Sequence, residues 1–153
     1  MKKQSSTGFT IIEVVLVLAI AALIFLMVFV ALPTLQRNQR DSERKTDAGI
    51  VSTAVTDFVS SNRRALKSDT TDQTSLQGFI SKMSQYEAKN VVLQGSASTS
   101  SEKPGTTENG DPVMWVHVGG KCEGQGSAKG TTRQAAVRIT LENGNVYCVD
   151  AAS

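Results

Sequence analysis

The chain has 153 residues and 16.3 kDa, enough for one modest domain and little more. Hydrophobic residues make up 40% and charged residues 20%, ordinary globular usage that excludes wholesale disorder. The net charge of +2 is supplied by Lys2 and Lys3; the other 14 Lys and Arg balance 14 Asp and Glu, which argues against a nucleic-acid binder working through a broad basic field.

The apolar residues are unevenly spread. Residues 14–32 are 19 consecutive apolar side chains, from Val14 to Leu32, without one polar group. As a helix this run reaches roughly 28 Å, close to the ~30 Å hydrocarbon core of a bilayer. A cleavable secretory signal competes for the same residues, because Lys2 and Lys3 resemble a basic n-region. Such a signal has an apolar core of about 7–15 residues and a small-residue cleavage point, whereas this run is longer and ends in Phe29-Val30-Ala31-Leu32-Pro33. A membrane-inserting helix fits better. Arg37, Arg40, Arg44 and Lys45 follow it, so a bare positive-inside count puts the C-terminal side in the cytoplasm, a weak criterion for a long downstream segment.

Glu13 stands immediately before the run, four residues after Phe9 and therefore on the same helix face. An ionisable side chain at the edge of a membrane segment either sits at headgroup level or marks function. Its surroundings, Gly8-Phe9-Thr10-Ile11-Ile12-Glu13 behind a short basic and polar leader, form a specific combination.

That combination resembles the N-terminus of type IV pilins and of the related pseudopilins of type II secretion. The resemblance is close over residues 1–45 and architectural beyond. It implies a leader peptide of residues 1–8, cut by a membrane-embedded prepilin peptidase between Gly8 and Phe9, and N-methylation of the new Phe9 terminus. It implies assembly through Glu13, which would pair with the N-terminal amine of a neighbouring copy, and a single-pass membrane precursor handed by inner-membrane assembly machinery into an extracellular helical filament. Pro33 lies about three residues later than the proline of many bacterial pilins. A helix kink there would fall at the end of the apolar segment 9–33.

Residues 34–66 read as an amphipathic continuation of the helix. The stretch 34–47 is polar on every side except Leu35, with Asp41 and Lys45 in favourable i,i+4 order and Arg37 able to reach Asp41. Such a stretch is a solvated face or a set of bridges to neighbouring subunits. Ala48, Val51, Ala54, Val55, Phe58 and Val59 then form a stripe at helical spacing, expected to pack under a globular head, and the helix should fade between Asn62 and Lys67.

Residues 67–153 are the expected head. The segment 68–74 reads as a loop; Thr74 with Gln77 makes a capping-box pattern, and Leu76, Phe79, Ile80 and Met83 place a second helix at about 75–88. Val91-Val92-Leu93 is a brief strand or a buried connector, and residues 95–112 are a Ser/Thr/Gly-rich loop. Residues 113–118 are strand-like. Val137, Ile139 and Leu141 alternate with polar residues up to Asn143-Gly144, a two-residue hairpin signal that pairs Leu141 with Val146 and Ile139 with Cys148. The fold class is therefore α+β: a long N-terminal helix against a small antiparallel sheet of about three strands.

Cys122 and Cys148 are the only cysteines and lie in the β region. They form a disulfide or remain two buried thiols; a disulfide places the head outside the cytoplasm, and the resemblance favours it because many pilins carry one near the C-terminus. An enzyme is not expected. A triad would need His117, the single histidine, which lies in an alternating strand as a partly exposed structural residue, and Gly124-Gln125-Gly126 with Gly130 misses the dinucleotide fingerprint and reads as a loop between strands. No cofactor or metal is implied. Within the C-terminal third, Lys121, Lys129, Arg133 and Arg138 oppose Glu123, Glu142 and Asp150, so no nucleic-acid-gripping face is evident. Three function classes follow: a pilin or pseudopilin, a monomeric single-span protein with an exposed binding head, and a secreted domain behind an ordinary signal.

Overall fold

The computed structural model describes residues 8–83, 88–95 and 102–152. The leader residues 1–7, the expected end of the second helix at 84–87 and the Ser/Thr tract 96–101 lie outside the described residues. The elements run α1 (Ile11–Asn62), α2 (Thr70–Met83), a 3-10 turn (Ala88–Asn90), β1 (Val91–Gln94), β2 (Met114–Val118), β3 (Gly120–Glu123), β4 (Gly126–Lys129), β5 (Ala135–Thr140) and β6 (Val146–Ala151). The chain divides into two compact units, one up to Gln39 and one from Arg40.

The second unit is built on the stripe of α1. Its buried residues are Ala48, Val51, Ala54, Val55, Phe58 and Val59, the set that helical spacing selects. They pack on Val91, Leu93, Met114, Val116, Val118, Ala135, Val137, Ile139 and Ala151, which share one face of the sheet, and on Leu76 and Ile80 of α2. Phe58 meets Phe79 of α2 edge to face, with ring centroids 5.7 Å apart.

The sheet has four strands rather than about three, in the order β1-β2-β5-β6, and it is not purely antiparallel. β1 pairs with β2 in parallel, because the chain between them crosses over instead of turning back. β2–β5 and β5–β6 are antiparallel. A second, two-stranded sheet, β3–β4, pairs Gly120 with Lys129 through Glu123 with Gly126.

The β5–β6 register differs by one residue from the two-residue turn expected. Thr140 pairs with Val146, Ile139 with Tyr147 and Arg138 with Cys148. The amide of Leu141 donates to Asn145 O (2.8 Å), and that of Gly144 to Leu141 O (3.0 Å). Gly144 has φ +78° whereas Asn143 does not have a positive φ, so the loop is the three-residue type with a left-handed glycine, not a type I′ turn. One residue of slip moves a side chain to the opposite face. Val146 and Cys148 therefore lie on the face away from α1, and Tyr147 and Val149 take the inner positions.

The second helix begins at Thr70, not near 75, so most of the expected 68–74 loop is helical. Asp69 is its cap: Oδ1 accepts the amide of Asp72 (2.8 Å). Thr74 makes no cap; its hydroxyl donates back to Thr70 O (2.9 Å), while the Gln77 amide reaches Val91 O (3.3 Å). Asp72 is buried and takes a two-pronged ion pair from Arg64 together with the amide of Lys67 (2.8 Å). The Arg64 hydrogen bonds are the main reason its carboxyl lies below the usual range, with the Lys67 amide adding to them against the opposing cost of burial. A depressed carboxyl contributes stability that is present above its ordinary value near 4 and is lost as pH falls through its folded value. Asp72→Asn should cost about 2 kcal/mol at pH 7 and flatten the loss of stability below pH 4. Urea midpoints of the full chain in detergent at pH 7 and pH 3 check both.

Candidate functional site

The first turn of α1 assembles the N-terminal constellation. The amides of Glu13 (3.1 Å) and Val14 (3.4 Å) donate to Thr10 O, so the helix is established at once behind Phe9. Phe9, Glu13 and Val17 follow each other at steps of four, and with Val14 and Leu18 they line one shallow apolar groove. Glu13 sits in the first helical turn, where the exposed N–H groups favour an anion, and among the described residues no cation pairs with it. The groove walls are bare: Phe9 is 85% exposed and Leu18 62%.

The same exposure runs the length of the apolar segment. Every large apolar residue described from Val14 to Leu35 is exposed or nearly so, and the segment is long and apolar enough to cross a membrane by length and composition. Pro33 lies inside α1, which stays helical on both sides of it, although proline deprives the Phe29 carbonyl of its helical donor.

The charged stretch of α1 is spent partly within the chain. Glu142, at the β5–β6 turn, is bound by Arg40 (3.5 Å) and by Arg44, which also donates to Thr140 O (2.9 Å). Asp41 accepts the Glu142 amide (2.7 Å), and Lys45 lies 5.8 Å above the Tyr147 ring. Asp41 and Lys45 are thus occupied with the hairpin rather than with each other, and four of the charges read as solvated or intersubunit fasten the hairpin to α1. Asp47, half-buried, has its carboxyl raised by burial and, less, by Glu43 one turn earlier.

Cys122 on β3 and Cys148 on β6 form a disulfide, with Cα atoms 5.8 Å apart. It staples the small β3–β4 sheet over the outer face of the main sheet, so Cys148 is inward in a second layer and not beneath α1. Gly124 and Gln125 form the β3–β4 turn, but Gly126 opens β4 (Gly126–Lys129), so the stretch expected to be a loop up to Gly130 is mostly strand. His117 is fully buried beneath this layer rather than partly exposed: burial first, and the Arg138 charge second, push it down to about 4.

Arg138 is the residue that alternation misplaces. It occupies a polar-out position yet is 0% exposed, because both faces of the sheet are covered. Its Nη2 donates to Glu102 O (2.7 Å) and Gln125 O (2.9 Å). The signal in the sequence is the run Ala135-Ala136-Val137 beside it, apolar without alternation as in a strand covered on two sides.

The disulfide closes a loop of sequence separation 26, worth about 3.5 kcal/mol in the chain-entropy model. The double substitution Cys122→Ser with Cys148→Ser should lower stability by about that much, read by urea unfolding through Trp115 fluorescence. Dithiothreitol should destabilise the native chain equally and leave the double variant unchanged.

Neither a protein-family model, nor a curated protein, nor a solved structure matches the chain.

Proposed function

We propose that the chain is a type IV pilin-like subunit, made as a single-pass membrane precursor, cut between Gly8 and Phe9 and polymerised through α1 into an extracellular filament. The observation that carries the reading is the pairing of Phe9 and Glu13 on one stripe of an otherwise apolar, uncovered helix. A carboxylate among apolar side chains is destabilised until an opposite charge arrives. Cleavage at Phe9 creates one, an α-amine, four residues from a glutamate that has no ion-pair partner among the described residues. At ~4 Å such a pair contributes about 4 kcal/mol at an effective dielectric of 20. Within one subunit the helix geometry holds both groups on the same face; the amine of one copy and the carboxylate of the next then fix the axial register.

The exposed apolar surface supports the same reading, since lipid covers it before assembly and the helices of neighbouring copies cover it afterwards. The Cys122–Cys148 bond fits a head that matures outside the cytoplasm, which outweighs the basic residues after the apolar run as a guide to orientation. The reading covers pilus subunits and secretion pseudopilins alike, which share this chemistry.

Mass spectrometry of the mature protein should find a chain beginning at N-methyl-Phe9. Glu13→Ala should be processed and inserted normally while filament yield falls at least about tenfold. Wild-type filament abundance in that variant, or a native chain that retains Met1 and stays monomeric in the membrane, contradicts the proposal; the second outcome identifies a single-span protein with a binding head.

A further inference from the structure

Between the main sheet and the β3–β4 layer lies a buried cation that no carboxylate offsets. Arg138 is the largest fully buried side chain among the described residues, and no ion pair there includes it. Burial alone is the cause that lowers its proton affinity. Its guanidinium is a hub. Nη2 holds the carbonyl of Glu102, in the strap that crosses the outer face, and that of Gln125, in the β3–β4 turn. Nη1 lies 3.3 Å from His117 Nε2.

A guanidinium only donates, so Nε2 must accept. The neutral ring therefore carries its proton on Nδ1, which is buried with no hydrogen-bond partner among the described residues. The strap is further tied by the Thr140 hydroxyl to Pro104 O (2.7 Å) and by the Val113 amide to Gly105 O (3.0 Å). The layer above is close: a side chain at Gly120 would meet His117 Cβ and O at 3.2 Å.

We propose that His117 is an acid-sensitive latch: a proton taken from solvent onto Nε2 turns the acceptor facing Arg138 into a second donor and cation, freeing the strap around Glu102 and the β3–β4 turn from the outer face of the sheet. Among the described residues, no acid stands in register with His117 on either neighbouring strand. β5 presents Ala136 in register and Arg138 beside it; β1 presents uncharged Gln94; β3 presents Gly120; within β2 the Trp115 ring is 5.9 Å away. Asp150, two strands away on β6, accepts the Cys122 amide at Oδ1 (2.6 Å), and Glu102 meets Arg138 through its main-chain carbonyl. The opened state binds the proton at an ordinary histidine value near 6.5 and the closed state only near 4. Closure is thus fully favoured above 6.5 and loses ground as pH falls from 6.5 towards 4. The Cys122–Cys148 bond keeps β3 tied to β6 throughout, so the opening is tethered and reverses at neutral pH.

The chain has a single histidine, so one side-chain NMR titration reports His117 without ambiguity. The full-length protein in detergent micelles, disulfide intact, is titrated from pH 7.5 to 3.5 while amide-exchange protection factors are followed. The latch predicts that protection of Gly126–Lys129 and of the Val113 amide falls about tenfold or more with the midpoint of His117, that Val51 to Val59 of α1 keep theirs, and that neutralisation restores both. His117→Gln, which retains an acceptor and cannot titrate, should hold the layer closed across the range. A layer that stays protected after His117 has titrated, a His117 midpoint at or above 6.5, or opening of His117→Gln at the native midpoint overturns the proposal. Should the variant fail to fold, the first two criteria decide it on the native chain.

Discussion

An uncovered apolar helix cannot be left in water, and that constraint governs everything else here. From Val14 to Leu32 the side chains have no protein against them, and burying that many of them is worth on the order of tens of kcal/mol. No ion pair in the molecule approaches this. The hydrophobic effect is, however, non-directional: it demands a cover and does not choose one, nor a register. On the reading proposed above, direction would come from the single carboxylate at the edge of the run: a Glu13 ion pair would contribute a few kcal/mol at most, but at one point in space, and so would decide geometry where apolar burial decides only environment.

The head solves the opposite problem, a small sheet with too little chain to bury it twice. α1 covers the inner face with a stripe of alanines, valines and Phe58, small enough to bring the backbone close. The outer face is covered cheaply, by a strap and a two-stranded layer with few apolar residues. Two devices make up the shortfall. The disulfide supplies about 3.5 kcal/mol independent of burial. Arg138 supplies donors to two loop carbonyls that would otherwise be orphaned, at the cost of a buried charge. At the hairpin tip, Glu142 is gripped by Arg40 and Arg44; these are half-exposed pairs of modest energy whose effect is to position the tip on α1.

What could be read in advance follows from whether local chemistry or tertiary context decided it. The α1 stripe was legible residue by residue because one face alone is buried and the helical period is unambiguous. The start of α2 was missed because Asp69, a strong cap, sits in a polar run that also suits a loop. The hairpin was placed correctly and its register was not: Asn143-Gly144 permits both a two-residue turn and a three-residue loop, and only the backbone of Asn143 separates them. β3 and β4 are not legible because Gly120, Lys121, Ser127 and Lys129 carry no strand signal. Arg138 and His117 do face away from α1, as alternation implies, but they are buried, since alternation assumes that the second face of a sheet is wet. That Phe9 and Glu13 share one helix face is legible from their spacing of four, because both belong to one local stretch.

The most direct test joins the two groups on which the account rests. Equal amounts of nitrogen-14 and nitrogen-15 labelled subunits are co-assembled and treated with a zero-length carbodiimide, which links amines only to carboxylates in contact, and the digest is searched for Phe9 joined to Glu13. The account predicts that mixed-isotope linked peptides are as abundant as single-isotope ones, each amine having reached the glutamate of another copy. Glu13 left unlinked, or linked solely within single-isotope chains, contradicts it.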